Sequence, residues 1–141
     1  MDLKKQTLGS LREMLDTKQI SAAELCKEYF ERIKPADSQV LGYITVTEEE
    51  AMKNAAKAQE AIDKGEAKAL TGIPLAIKDN ICTDGIRTTC ASNMLGNFIP
   101  PYDACVIEKL KADDYVLLGK TSMDEFAMGG STQTSAFAKT K

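Results

Sequence analysis

Two short apolar runs rich in β-forming residues place the strongest constraint on the fold of this chain. They are Ile73–Ile77 and Tyr115–Leu118, and a third β-rich run covers Val40–Val46. Between and before these runs, apolar residues recur every three or four positions, which is the period of an amphipathic helix. Because helices that alternate with apolar strands are typical of α/β proteins, the sequence predicts an α/β fold.

The predicted helices have recognisable beginnings and ends. Ser21–Glu24 and Thr47–Glu50 each place a glutamate three positions after a hydroxyl residue, which is the pattern of a capping box. Pro35 disfavours helical geometry in the residue before it, so we expect the second helix to stop there. The predicted helices are residues 7–17, Ser21 to the residue before Pro35, Thr47 to a stop at Gly65, and Asp103–Lys111, with Asp103 as its cap and Val106, Ile107 and Leu110 facing inward.

The composition indicates an ordinary globular protein. Of the 141 residues, 43% are hydrophobic and 28% are charged, and the net charge is −3. No basic stripe favours direct contact with nucleic acid. The N-terminus lacks the apolar core of a signal peptide, and no apolar run approaches the length of about 18 residues that spans a membrane. We therefore expect a cytoplasmic protein.

The absence of histidine limits the chemistry of the chain. A Ser-His-Asp or Cys-His arrangement is impossible within it. Any general base must then be a lysine, aspartate, glutamate, tyrosine or cysteine. The four cysteines, at positions 26, 82, 90 and 105, form no CxxC pair, so we expect reduced structural thiols and no metal site.

Lys78 is the leading candidate for a functional side chain. It ends the apolar strand, where a buried ammonium would cost several kcal/mol (about 3–5) unless partners offset it. A lysine at this place in a strand is most often solvated. However, Lys78 shares its strand face with Pro74 and Ala76, and a lysine above small residues at a strand's carboxyl end suits a functional crevice. Asp79 points the other way and is expected to hold the following turn.

Three polar motifs near the end of the chain are ambiguous. Gly119-Lys120-Thr121 resembles the end of a phosphate-binding loop, but Asp114 stands where that loop needs a glycine, so we expect no nucleotide site. Gly129-Gly130 permits close approach of the backbone to a ligand, or only a turn. A cluster of hydroxyl residues could hold a nucleophile, or be a polar loop: Ser131, Thr132, Thr134 and Ser135.

Two long segments resemble the amidase signature family. They are GIPLAIKDNICTDGIRTTCAS, residues 72–92, and GKTSMDEFAMGGSTQTSAF, residues 119–137. The wording MDEFAMGGST…SAF is similar to that of the glutamyl-tRNA(Gln) amidotransferase A subunits within the family. The resemblance covers nearly the whole chain. It implies the N-terminal portion of a single amidase domain, with a helical segment at about 1–66 and the start of the α/β core, a mixed β-sheet flanked by helices, at about 67–141.

The resemblance also implies site residues. The family uses a Ser–cis-Ser–Lys triad, in which Lys78 is similar to the base, and Met128, Gly129 and Gly130 correspond to one wall of a glutamine pocket. The family's two serines and its oxyanion hole lie beyond the SAF motif, so we expect them outside these 141 residues and expect this chain alone to be inactive. Small departures from the family pattern are Ser122, where asparagine is usual, and Asp113–Tyr115 before the strand.

The implied activity is glutamine hydrolysis through a seryl acyl-enzyme. The resemblance implies two partner subunits of the amidotransferase: a B subunit that receives the ammonia and activates Glu-tRNA(Gln) with ATP and magnesium, and a small C subunit that joins the other two. It implies no cofactor in this chain. Two alternatives remain open, which are an amidase-signature hydrolase of free amides and a non-catalytic binding or scaffold module. For the chain alone, we expect exposed strand edges and apolar surface.

Overall fold

A computed structural model describes residues 2–141 as an α/β fold. The helices are α1 (Leu8–Asp16), α2 (Ala22–Val40), α3 (Glu48–Asp63) and α4 (Cys105–Ala112), and the strands are β1 (Tyr43–Val46), β2 (Pro74–Lys78) and β3 (Val116–Thr121). Short 3-10 turns occupy Leu3–Lys5, Asn93–Leu95 and Glu125–Ala127. None of the helices formed by residues 2–141 has the length and hydropathy needed to cross a membrane.

The three strands form a mixed sheet in the order β1-β3-β2. The central strand β3 is antiparallel to β1 and parallel to β2. The connection from β2 to β3 contains α4, as parallel neighbours require a crossover. Within residues 2–141, no further strand pairs with the outer edges of β1 and β2. The predicted mixed sheet flanked by helices is confirmed.

Helices cover both faces of the sheet because the apolar residues of β3 alternate. Val116 and Leu118 face the main core, whereas Tyr115 and Leu117 face a smaller core. The main core joins the sheet to α1, α2 and α3 through buried side chains that include Leu11, Leu15, Leu25, Phe30, Ala51, Ala55, Ala58 and Ile73. The smaller core joins it to α4 through Ile77 and Ile107. The α3 helix contributes three alanines to the main core, so it packs closely against its neighbours.

The predicted stop of α2 at Pro35 is wrong, because the helix continues through the proline to Val40. Its end is set six residues after Pro35, where Leu41 adopts a left-handed conformation with φ of 59°. The Asp37 carboxylate accepts hydrogen bonds there from the N–H groups of Gly42 (2.6 Å) and Tyr43 (3.1 Å). Val40 therefore belongs to the helix, and β1 begins later than the β-rich run suggested.

Two predicted caps are also wrong, although the Ser21–Glu24 capping box is confirmed. The Thr47 hydroxyl donates to the Leu117 carbonyl (2.9 Å) on β3 and does not cap α3. Asp103 does not cap α4, because its carboxylate accepts from the Asp84 N–H (2.7 Å) and pairs with Lys111 (2.6 Å). In both cases a tertiary partner replaces the local one.

The inner face predicted for α4 is confirmed only in part. Ile107 is fully buried, but Val106 is 48% exposed. The helix begins at Cys105, so Val106 lies in its first turn, beside the exposed Cys105. The short α4 therefore contacts the sheet through one narrow stripe.

Gly119 allows β1 to approach β3 closely. Its φ is +152°, and a Cβ at this position would lie 3.0 Å from Tyr43 Cδ1 and still closer to the Thr45 carbonyl oxygen. The pairing of β3 with β2 shifts register between Leu117 and Gly119, and its pairing with β1 shifts between Lys120 and Thr121. A side chain here would push the sheet apart.

Replacement of Gly119 by alanine should strongly destabilise the chain. Because the added methyl group meets backbone atoms, we expect the free energy of unfolding to fall by about 3 kcal/mol. Gly9→Ala in the exposed part of α1 is the matched control, and it should raise stability by about 1 kcal/mol. Urea unfolding followed by circular dichroism measures both, and equal stability of the two variants would contradict this role of Gly119.

Labelling of native thiols should distinguish Cys26 from Cys105. Cys26 is fully buried, and its burial raises the pKa of the thiol to about 11, with the Glu48 carboxylate adding to the rise. Because the thiolate is the reactive form, Cys26 stays unreactive near pH ~8, whereas the exposed Cys105 reacts. Iodoacetamide labelling with peptide mass spectrometry should find Cys105 modified first. Both thiols should react in denaturant, and equal rates without denaturant would show that Cys26 is not buried.

Candidate active site

Lys78 lies at the carboxyl end of β2 with its side chain exposed. Its Cα is opposite that of Thr121 on β3, and Thr121 is in turn opposite Tyr43 on β1. Residues opposite one another in a sheet share a face, so these three form a row across it. On the same face, Pro74 and Ala76 line an open groove of about 460 Å³ against α2. Lys78 thus follows the small residues, as the sequence predicted.

The backbone around Lys78 is fixed on both sides. The Asp79 N–H donates to the Thr121 carbonyl (3.2 Å), which continues the pairing with β3. The Ile81 N–H donates to the Lys78 carbonyl (3.0 Å) and closes a turn directly after the strand. The direction in which the Lys78 side chain leaves the sheet is therefore set by this turn.

Asp79 is fully buried and joins the turn to the segment 88–92. Its Oδ2 accepts hydrogen bonds from the Thr89 N–H (2.9 Å) and from the Thr89 hydroxyl. Its carbonyl accepts from the Cys90 N–H (3.0 Å). Its Oδ1 has no hydrogen-bond partner among residues 2–141 and lies 3.9 Å from the Lys120 Nζ. The Asp79 carboxylate therefore holds the later segment 88–92, whereas the turn directly after the strand is closed by the Ile81 N–H.

Lys120 is a buried lysine that sequence reasoning missed. Its side chain is fully inaccessible, and its Nζ donates to the Ile81 carbonyl (2.7 Å) and to the Thr88 hydroxyl (2.7 Å). Burial lowers the pKa of Lys120, and the Asp79 carboxylate partly offsets this. Gly119–Thr121 lies inside β3, so the segment forms no phosphate-binding loop. The sequence contained one signal for this buried lysine, because Lys120 lies two residues after the apolar run Tyr115–Leu118.

The loop that contains Met128, Gly129 and Gly130 is organised around the Asp124 carboxylate. Asp124 accepts from the N–H groups of Ser131 (2.6 Å) and Thr134 (3.1 Å) and from the Thr134 hydroxyl (2.9 Å). These hydrogen bonds, with those of the Thr134 and Ser131 backbone foremost, hold the pKa of Asp124 below its usual value. The hydroxyl cluster thus encloses a carboxylate, as a polar loop would.

The three predicted pocket residues have different surroundings. Met128 is 76% exposed. A Cβ on Gly129 would lie 2.5 Å from the Asp124 Cγ, so Gly129 is required for the loop to fold onto the carboxylate. In the described part of the chain, no atom lies within 4 Å of the position that a Cβ on Gly130 would occupy. Of the two glycines, Gly130 therefore borders open space.

Hydrogen bonds join this loop to the segment that follows Lys78. The Phe126 N–H donates to the Cys90 carbonyl (2.9 Å), and the Ala136 N–H donates to the Ala91 carbonyl (2.9 Å). At this junction four non-glycine residues have positive φ of 51–60°: Cys90, Ala91, Phe126 and Ala127. Such conformations cost about 1–3 kcal/mol each and cluster at functional sites. The strand end with Lys78 and the loop with Met128 therefore belong to one connected unit.

The unit thus combines a strand-end lysine with a glycine- and hydroxyl-rich loop. Among residues 2–141, no group of three or more histidine, cysteine, aspartate or glutamate side chains could hold a metal ion. A family model described as Amidase matches residues 24–141, which is most of the chain. This chain therefore belongs to the amidase family.

Individual relatives refine this classification. A protein from Ruminiclostridium cellulolyticum, named as the A subunit of glutamyl-tRNA(Gln) amidotransferase, is 54% identical over 141 residues, and this chain spans 29% of its length. The peptide amidase from Stenotrophomonas maltophilia has a TM-score of 0.87 at 25% identity, over 96% of this chain and 30% of that one. A further similar structure is an inhibitor-bound vestigial protein complex that reveals the evolutionary origins of an s-triazine catabolic enzyme. Its TM-score is 0.90 at 28% identity, over 96% of this chain and 30% of that one.

Alanine at Gly129 should disturb the loop, whereas alanine at Gly130 should not. At Gly129 the methyl group displaces the Asp124 carboxylate and frees the N–H groups of Ser131 and Thr134, whereas at Gly130 it enters open space. We expect amide hydrogen exchange at Ser131 and Thr134 to speed up by at least about tenfold in Gly129→Ala, because each opened hydrogen bond loses about 1–1.5 kcal/mol. In the matched control Gly130→Ala, exchange should stay unchanged. Identical exchange in the two variants would contradict the role of Gly129.

Proposed function

We propose that this chain is the N-terminal part of the A subunit of a glutamyl-tRNA(Gln) amidotransferase and that Lys78 is the base for glutamine hydrolysis in the complete protein. The observation that carries the proposal is 54% identity over the whole chain with a protein of that name. Because the chain spans 29% of that relative's length, the activity is proposed for the complete polypeptide.

Lys78 suits the role of a base for geometric reasons. Its backbone is held by the pairing with Thr121 and by the turn to Ile81, while its side chain stays exposed on the face of Pro74 and Ala76. In this role Lys78 accepts the proton of a serine nucleophile through a bridging serine, both supplied by the rest of the polypeptide. The serine attacks the amide carbon of glutamine, the proton taken up by Lys78 passes back to the amide nitrogen, the C–N bond breaks and ammonia leaves. Water then releases glutamate from the acyl-enzyme.

Met128, Gly129 and Gly130 are proposed to form one wall of the glutamine pocket. The exposed Met128 offers apolar contact for the methylene groups of glutamine. Gly130 leaves space for the ligand to approach the backbone, and Gly129 keeps the loop folded on Asp124. In this proposal the hydroxyl groups of Ser131 and Thr134 hold the loop in shape and are not the nucleophile.

The proposal extends to partners and location. The B subunit of the amidotransferase receives the ammonia and activates Glu-tRNA(Gln) with ATP and magnesium, the small C subunit joins the other two, and the complex is cytoplasmic. The chain itself uses no cofactor. The net charge of −3 and the lack of a basic stripe agree with tRNA contact through the B subunit.

A second candidate is an amidase that hydrolyses free amides without partner subunits. The similarity in structure to the peptide amidase, with a TM-score of 0.87, favours it. The identity of 25% to that enzyme is far below the identity to the amidotransferase relative, so we place it second.

The experiment that tests the proposal replaces Lys78 by alanine in the complete protein with its partner subunits. We expect glutamine hydrolysis to fall by about 10³-fold, because loss of general acid–base catalysis removes about 10²–10⁴ in rate. Lys109→Ala, at an exposed lysine of α4, is the matched control and should keep full activity. Ammonia release is measured with glutamine and with a peptide amide.

The two substrates separate the candidates. Preference for glutamine supports the amidotransferase, whereas preference for the peptide amide in the absence of partner subunits supports the second candidate. Full glutamine hydrolysis by Lys78→Ala would overturn the role of Lys78 in either.

A further inference from the structure

We propose that the buried Lys120 is a positioning residue for Lys78, holding the turn that directs the Lys78 side chain. This inference rests on the proposed function of Lys78. It goes beyond that function because it assigns a catalytic consequence to a side chain on the opposite face of the sheet, away from the groove beside Pro74 and Ala76.

Two consecutive hydrogen bonds connect the two lysines. The Ile81 N–H donates to the Lys78 carbonyl (3.0 Å), and the Ile81 carbonyl accepts from the Lys120 Nζ (2.7 Å). The Lys120 ammonium therefore binds the last peptide group of the turn that begins at Lys78. Without it, the Ile81 carbonyl loses its charged donor, and the turn is held at one end only.

The pairing of the strands explains why Lys120 acts through the backbone. Lys120 is opposite Ile77, whereas Lys78 is opposite Thr121, so the two lysines lie in neighbouring rows of the sheet. Neighbouring rows project to opposite faces. Lys120 enters the face of the smaller core, below the turn, and Lys78 leaves on the face of the groove.

Burial of the Lys120 charge costs free energy, so its presence in the core indicates that its hydrogen bonds are needed. A buried ion pair is often no more stable than apolar side chains of the same volume, so packing alone does not explain an ammonium in the core. Its donors reach Ile81 and Thr88, which lie on the segments before and after the loop 82–87, and Asp79 supplies the opposite charge. An apolar side chain could fill the space but could not hold both segments.

The test uses the complete protein with its partner subunits and measures kcat and KM for glutamine. The variants are Lys120→Met, which keeps volume without the donors, and Thr88→Val, which removes one acceptor. Lys109→Met makes the same chemical change at an exposed lysine and is the control. Each is made alone and combined with Lys78→Ala, and rates are taken per folded protein, as judged by circular dichroism.

A positioning role predicts a specific pattern. Lys120→Met should lower kcat by about 100-fold, the effect of misplacing a catalytic group by about 1 Å, with KM changed by less than about twofold. Thr88→Val should lower kcat by about tenfold, which corresponds to one charge-assisted hydrogen bond. In the Lys78→Ala background neither should reduce the residual rate further, since there is no lysine left to position. Lys109→Met should have no effect in either background.

Other results would overturn the inference and would separate it from the proposed function. Unchanged kcat in folded Lys120→Met refutes the positioning role while leaving Lys78 as the base. Equal losses in the presence and absence of Lys78 show that Lys120 only stabilises the fold. Full activity of Lys78→Ala alone refutes the proposed function itself. If Lys120→Met does not fold, Thr88→Val and its combination with Lys78→Ala decide by the same criteria.

Discussion

The buried pair of Asp79 and Lys120 is the interaction on which the arrangement of the candidate site depends. Each charge alone would be costly in the interior, and each is made tolerable by hydrogen bonds as well as by the other charge. Asp79 holds Thr89, and Lys120 holds Ile81 and Thr88. The irregular segment after β2 is therefore attached to β3 by side chains, where no regular strand pairing is possible.

Asp124 organises the second half of the site in a different way. Its carboxylate gathers the backbone of Ser131 and Thr134, so the loop folds around a single acceptor near its start. The two anchored segments then meet through Cys90 and Phe126, both in left-handed conformations. Backbone of this kind persists only when its surroundings fix it. The two buried carboxylates provide that fixation on either side of the junction.

Apolar residues are buried where α1, α2 and α3 meet the sheet and are exposed on several loop segments. Residues from α1, α2 and α3 close the main core. By contrast, Met94, Ile99 and Met128 on the loop segments are more than half exposed. The open groove beside Pro74, Ala76 and Tyr43 lies on the face that carries Lys78.

The sequence by itself determined the α/β class, the α1 and α3 helices, the strands β2 and β3, and the placement of Lys78 at a strand end. These follow from periodicity and alternation, which are local properties. Only the tertiary structure decided that α2 passes Pro35, that Thr47 and Asp103 bond across the fold, and that Gly119 and Gly129 are needed for close approach. Lys120 shows the reason most clearly. Its partners Ile81, Thr88 and Asp79 are more than thirty residues away in sequence, and a buried ammonium is stable only where folding brings such distant acceptors together.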